Sequence, residues 1–236
     1  MARRLLPTAL VLLALAGGNV ARTATKRPVP DGGGGGYLVA RVKAGDAIAL
    51  RRRPFGKILG WVHARTEFGS AQALPVVRRR GNRWLGVVST SLRNGRVAWV
   101  DANAGALSFD RVPMALEVNR SRRLLRVWVR GRGIVRRIRV AVGRPGSPTP
   151  LGRFSVTDKL PGAEFGSYFG CCILALSGHQ TNLPRGWRGG DRLAIHGSLS
   201  RDEGSASSAG CLHASAHDLR YLMRIVPLGT QVVIHA

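Results

Sequence analysis

Apolar residues in this chain come in short runs cut off by turn-forming residues, which leaves little room for long helices. From Tyr37 to Phe109 the runs are Tyr37-Leu38-Val39, Ala47 to Leu50, Ile58-Leu59, Leu74 to Val77, Trp84 to Val88 and Val97 to Val100. Gly56, Gly60, Gly81-Asn82 and Asn94-Gly95 fall between them, the punctuation expected of antiparallel strands closing a small barrel. Beyond Pro113 the runs continue, and from Ile134 to Val142 apolar and arginine positions alternate. Period two places the arginines of such a strand on its wet face. Ile173 to Leu176 and Leu193 to Ile195 read as buried strands, and Gln231 to His235 as a last one. One stretch departs from this pattern. Ser215-Ala216-His217-Asp218 is a capping box, and Leu219, Leu222, Met223 and Val226 follow at helical spacing until Pro227. The chain is therefore expected to be mainly β, with one helix near its end.

The start of the chain bears on its compartment. Arg3 and Arg4 precede an apolar run, Leu5 to Ala16, and small residues follow. At 12 residues the run is short of the about 20 that a membrane-spanning helix needs, so residues 1–18 are expected to be a secretory signal. Left uncleaved, it would tether the chain to a membrane. Residues 19–36, with Pro28, Pro30 and five consecutive glycines, lack the apolar surface to fold and read as a spacer. Residues 37–110 and 113–236 are the expected folded domains.

With Lys+Arg 37 against Asp+Glu 12, the formal charge of +25 draws the chain to anionic surfaces. An acidic wall polymer fits this charge better than nucleic acid, because the arginines are scattered through strands and no nucleic-acid-binding motif is present. Cys171, Cys172 and Cys211 are too few for a disulfide scaffold and lack paired metal-ligand spacing, so neither a metal nor another cofactor is expected. Cys171 and Cys172 are expected to be reduced and packed in the core.

The chemistry concentrates between Leu193 and His213. His196 ends an apolar run, and Cys211 lies 15 positions on, after Gly210. Only a thiolate attacks well, and a neutral imidazole within reach can generate it. Gly210 allows a sharp turn that brings main-chain N–H groups to a developing oxyanion.

Ile195-His196-Gly197 followed by Ser208-x-Gly210-Cys211 resembles the signature of the L,D-transpeptidases, the YkuD-type catalytic domain. Ala209 stands where that family usually has a second histidine, and His213 where it has arginine or asparagine, a change that bears on recognition of the substrate's carboxylate. The run Gly143-Arg144-Pro145-Gly146-Ser147-Pro148-Thr149-Pro150-Leu151-Gly152 resembles a loop of the same family. Trp84-Leu85-Gly86-Val87 and Gly95 to Val100 resemble a bacterial SH3-like domain. The implied architecture is an SH3-like small barrel followed by a β-sandwich-like catalytic domain, with the helix after the nucleophile.

The resemblance implies Cys211 as nucleophile, His196 as base and the Gly197 carbonyl as its orienter. The N–H groups of Cys211 and Gly210 would face the oxyanion, with Ser208, Tyr168 and His213 around the substrate. Tyr168 belongs to a glycine-rich stretch, Leu160 to Gly170, that reads as a flap. The implied substrates are peptidoglycan stem peptides as donor and acceptor, joined in 3→3 cross-links. An L,D-carboxypeptidase and a wall-binding protein with an inactive catalytic half are the other readings that these residues allow.

Overall fold

The computed structural model describes residues 35–236. The expected signal, and the spacer up to residue 34, lie outside the described residues. The first half holds seven strands: β1 (Tyr37–Val42), β2 (Ala47–Arg51), β3 (Ile58–His63), β4 (Ala73–Arg80), β5 (Trp84–Val87), β6 (Ala98–Asp101) and β7 (Leu107–Val112). They form one sheet in the order β3-β2-β6-β5-β4-β1-β7, antiparallel throughout. Leu38, Ala40, Leu50, Leu74, Val76, Leu85, Val87 and Val100 fill its core. Trp84 is buried outside that cluster, with Phe55 edge-on against it at 4.9 Å. β7 runs past the expected boundary at 110 to Val112. Its four middle residues are exposed, so no apolar alternation marks it in the sequence.

The second half is built of β8 (Met114–Asn119), β9 (Leu124–Val129), β10 (Gly133–Arg139), β11 (Val142–Gly143), β12 (Gly152–Pro161), β13 (Cys172–His179), β14 (Arg192–His196), β15 (Ala206–Ser208), β16 (Leu212–His213), a helix α1 (Ala216–Ile225) and β17 (Gln231–His235). Eight of these strands make a mixed sheet in the order β10-β9-β8-β17-β12-β13-β14-β16. The expected sandwich is thus a single curled sheet, and β12 is where it turns. Residues Gly152 to Ser155 of that strand pair with β17, while Val156 to Pro161 pair with β13 across an irregular register. One long strand serves both sides, so the two faces share one core of Leu116, Val127, Phe154, Leu174, Ile195, Leu222 and Ile234.

The expected strand over 134–142 is broken. A bulge between Ile134 and Arg136 shifts the alternation, and the strand ends at Arg139. Val142-Gly143 instead pairs in parallel with β15, which carries the proline-rich loop to the segment before Cys211.

Helix α1 forms where the capping box predicts. The Ser215 hydroxyl accepts from the Asp218 N–H at 3.1 Å and donates to its carboxylate at 2.9 Å. Leu219 and Leu222 are fully buried against the sheet, each gaining about 2 kcal/mol from the apolar surface it removes from water. The C-terminal strand β17 sits centrally, parallel to β8 and antiparallel to β12.

Cys171 and Cys172 are joined as a disulfide, against the expectation of a reduced pair. Gly170 precedes them at φ 67°, and Cys172 begins β13. Cys211 remains the free thiol.

Candidate active site

The parallel pairing of β14 with β16 puts His196 in register with His213. The two rings lie 4.7 Å apart, centre to centre. Cys211 immediately precedes β16 and lines the same cavity of about 600 Å³ as both histidines. Two motif residues 15 positions apart in sequence therefore line one cavity because neighbouring strand ends carry them.

His196 is buried, and its Nδ1 lies 2.6 Å from the carbonyl oxygen of Gly197. A carbonyl only accepts, so Nδ1 carries the proton and Nε2 is left with the lone pair a base needs. Gly197 holds the turn that permits this. Its N–H donates to the Phe169 carbonyl at 2.9 Å, and an added Cβ would meet that same oxygen and the Gly170 Cα at 3.0 Å. The expected flap is thereby tied to the histidine through its own main chain.

Tyr168 lies on that flap, in the second of two short 3₁₀ turns (Gly162–Phe165 and Ser167–Phe169), with its ring 5.7 Å from that of His196 and 6.1 Å from that of His213. The structure thus brings Tyr168, His196, His213 and Cys211 to one cavity.

Ser208 and Gly210 are placed differently from the expectation. The Ser208 hydroxyl donates to the Cys211 carbonyl at 2.6 Å and accepts from the Gly210 N–H at 3.0 Å. Ser208 is therefore a brace inside the turn that leads to Cys211, and the Gly210 N–H is already engaged within that turn. Gly210 has φ 124°, and a Cβ there would lie 1.9 Å from the Gln180 amide.

Gln180 itself is a residue that sequence reasoning missed. Its buried amide nitrogen is within 3.0 Å of the Ala209 carbonyl and 3.2 Å of the Ser147 and Pro148 carbonyls. It joins the proline-rich loop to the nucleophile turn.

Asp202 was missed as well. Both its carboxylate oxygens lie near His213 Nδ1, at 3.0 and 2.9 Å, while His213 Nε2 is buried with no protein partner. Burial opposes the charge on Asp202, but hydrogen bonds from Ser207 and His213 hold it below the usual carboxylate range. A signal for it was available, since it is one of few acids in a strongly basic chain and lies between the two motif residues.

Burial, reinforced by repulsion from His213, pushes the His196 imidazole down to about 4. Burial also pushes the Cys211 thiol up to about 11. The thiol donates to the Arg192 carbonyl at 3.8 Å. At neutral pH the cavity thus holds an uncharged thiol and an uncharged imidazole. Burial raises the Tyr168 phenol too, with the nearby Cys211 and Asp202 acting in the same direction. Among the described residues no cluster of metal-ligating side chains occurs.

A partly buried cysteine and a tautomer-fixed histidine at the ends of neighbouring strands, in one cavity, form a site suited to acyl transfer. Residues 113–234, just over half of the chain, match the family model for the L,D-transpeptidase catalytic domain, YkuD. The chain belongs to that family and carries an L,D-transpeptidase catalytic domain. The L,D-transpeptidase YkuD of Bacillus licheniformis is 32% identical over 128 residues, which are 53% of this chain and 67% of that protein.

Among solved structures, L,D-transpeptidase 3 from Mycobacterium tuberculosis, in complex with a faropenem-derived adduct, matches with a TM-score of 0.44 and 14% identity. That match covers 70% of this chain and 91% of that one. Bd1075 of Bdellovibrio bacteriovorus matches with a TM-score of 0.42 and 19% identity over 52% of this chain, which spans about half, 48%, of that structure's length.

Proposed function

We propose that this chain is a secreted, wall-associated cysteine transpeptidase that forms 3→3 cross-links between peptidoglycan stem peptides through a thioester on Cys211. The observation that carries the reading is the His196–Gly197 contact, which fixes the imidazole with Nε2 free as base in the cavity that holds the thiol. With the thiol high and the imidazole low, a preformed ion pair is disfavoured, so the proton passes to Nε2 as sulfur attacks.

The sulfur attacks the carbonyl of the diamino acid at stem position three, and the Cys211 N–H faces the oxyanion. His196 returns the proton to the departing amine of the terminal D-alanine. An amine of a second stem then attacks the thioester, giving up a proton to His196, and the thiol is regenerated with a new amide bond. If water replaces that amine, the same steps make an L,D-carboxypeptidase. Residues 37–110 would act as an SH3-like module that holds the catalytic half at the anionic wall, to which the charge of +25 also draws it.

The raised thiol favours one rival, a wall-binding protein whose catalytic half is inert. Intact mass after incubation with faropenem separates the two. The transpeptidase gives one adduct, lost in Cys211→Ala and formed at least about a hundredfold more slowly in His196→Ala. A folded protein whose free Cys211 thiol takes no adduct would be the inert wall binder.

A further inference from the structure

The cavity beside Cys211 is not walled by the second half alone. Between β3 and β4 the chain folds into a tight tip. Thr66 exchanges main-chain hydrogen bonds with Ser70 and Gly69 at 2.9 and 3.0 Å, Arg65 donates to the Gly69 carbonyl at 2.7 Å, and Arg65 bridges Ala71. Glu67 and Phe68 stand at the apex. The tip is braced internally, so its apex residues have a defined position.

That position is across the domain boundary. The Thr66 hydroxyl donates to Asp158 of β12, and Glu67 pairs with Arg192 of β14. Phe68 meets Phe165 edge-on with ring centres 5.9 Å apart, and the Arg192 guanidinium lies 5.7 Å from the Phe68 ring centre. Arg192 is fixed in turn by the Leu176 carbonyl and the Thr157 hydroxyl. Its own carbonyl is the group that accepts from the Cys211 thiol. A second set of contacts keeps the halves in place, since His179 of β13 reaches the Thr90 carbonyl at 2.7 Å and its N–H donates to Asn94 at 2.9 Å.

Phe68 thus lines the same cavity as Cys211 and His196, with Phe165, Leu183 and Trp187 as its apolar neighbours there. It remains 38% exposed, a large ring left open at the cavity wall. An aromatic face held in this way has apolar area still to bury, and the alkyl part of a ligand can cover it.

We propose that Phe68, supplied by the first half, is a specificity-determining residue of the transpeptidase that takes the aliphatic stretch of a substrate peptide side chain, with the Glu67–Arg192 pair holding the tip against the cavity. The first half is then part of the substrate site and not only a wall anchor. This rests on the reading that Cys211 is acylated by peptide substrates.

The test uses the full chain. Steady-state kinetics with a stem tetrapeptide carrying a diamino acid at position three are compared for wild type, Phe68→Ala and Phe68→Leu, alongside the rate at which iodoacetamide alkylates Cys211. The expected result is a KM about tenfold higher in Phe68→Ala, with Phe68→Leu between, kcat within about threefold, and alkylation unchanged. Should Phe68→Ala not fold, Phe68→Leu carries the comparison.

Unchanged KM in a wild type that turns over would overturn the wall while leaving the proposed function intact. A parallel fall in kcat, alkylation rate and thermal stability would overturn it too, since Phe68 would then only dock the halves. A wild-type protein that turns over no peptide would overturn the function first, and the wall with it.

Discussion

The two halves are both strand-rich, yet they place their charges differently. In the first half Arg41 pairs with Asp110 at 3.0 Å with side chains 29% and 54% exposed, and Arg83 pairs with Asp101 at 2.7 Å with 51% and 21%. In the second, His213 meets Asp202 at 2.9 Å with side chains only 3% and 13% exposed. Glu117, also buried, collects Arg126, Trp128 and His235 together. Water screens the outer pairs, so each partner could do without the other. A charge under the sheet must be matched on the spot, because removing one partner strands the other in a poor solvent. The difference locates the chemistry: of the buried ionisable clusters in the second half, the one where β14 and β16 end opens on the cavity that holds the free thiol, and the first half contributes a scaffold and one wall.

The sharpest way to break this contrast is at the thiol. Cys211→Ala should lower peptide turnover by at least about a thousandfold, measured with the stem tetrapeptide, while Arg83→Ala in the first half leaves it within about twofold. Residual turnover in Cys211→Ala comparable to wild type would place the nucleophile elsewhere.

The next effect concerns the buried pair. Asp202→Ala leaves the His213 ring without its partner on Nδ1, and its Nε2 has none already. The loss expected in urea unfolding is about 3 kcal/mol. A loss below about 1 kcal/mol would make this pair no different from those on the first sheet.

Stability against pH gives a similar magnitude with a defined direction. The unfolded His196 takes up a proton near 6.5, whereas the folded one resists until about 4. Acid therefore favours the unfolded chain, and stability should fall as pH drops through that window, by up to about 3 kcal/mol. Cys211 acts at the other end. Its folded value of about 11 lies above the ordinary 9, so stability should also fall as pH rises between those values. His196→Gln should flatten the acid limb and Cys211→Ala the alkaline one, read from urea midpoints across pH.

Much of this was legible in the sequence because it is local. Glycine turns and short apolar runs mark β1 to β6, and the Ser215–Asp218 capping box marks α1. His196 and Cys211 stand in short motifs of their own. What the sequence hides is pairing between distant segments. Nothing local says that β17 will lie between β8 and β12, or that Gln180 will bind three carbonyls from two loops. β7 is hidden for another reason, since an edge strand with an exposed middle carries no alternation. Phe68 carries no signal of its own in the sequence, because only the fold brings it to the cavity.

The smallest effect is the control on which the contrast depends. Arg41 and Asp110 join neighbouring strands β1 and β7, and the aspartate also accepts from the Arg111 N–H. Those hydrogen bonds, from the Arg111 main chain first and Arg41 second, hold its carboxyl below the ordinary range. Arg41→Ala removes one contribution and leaves the main-chain one, with water free to solvate the carboxylate. The expected loss in urea unfolding is at most about 0.5 kcal/mol, shrinking further in 1 M salt, where charges are screened within about 3 Å. A loss of 2 kcal/mol that persists in salt would mean that the pair holds the edge strand in place, and the first sheet would then depend on matched charge as the second does.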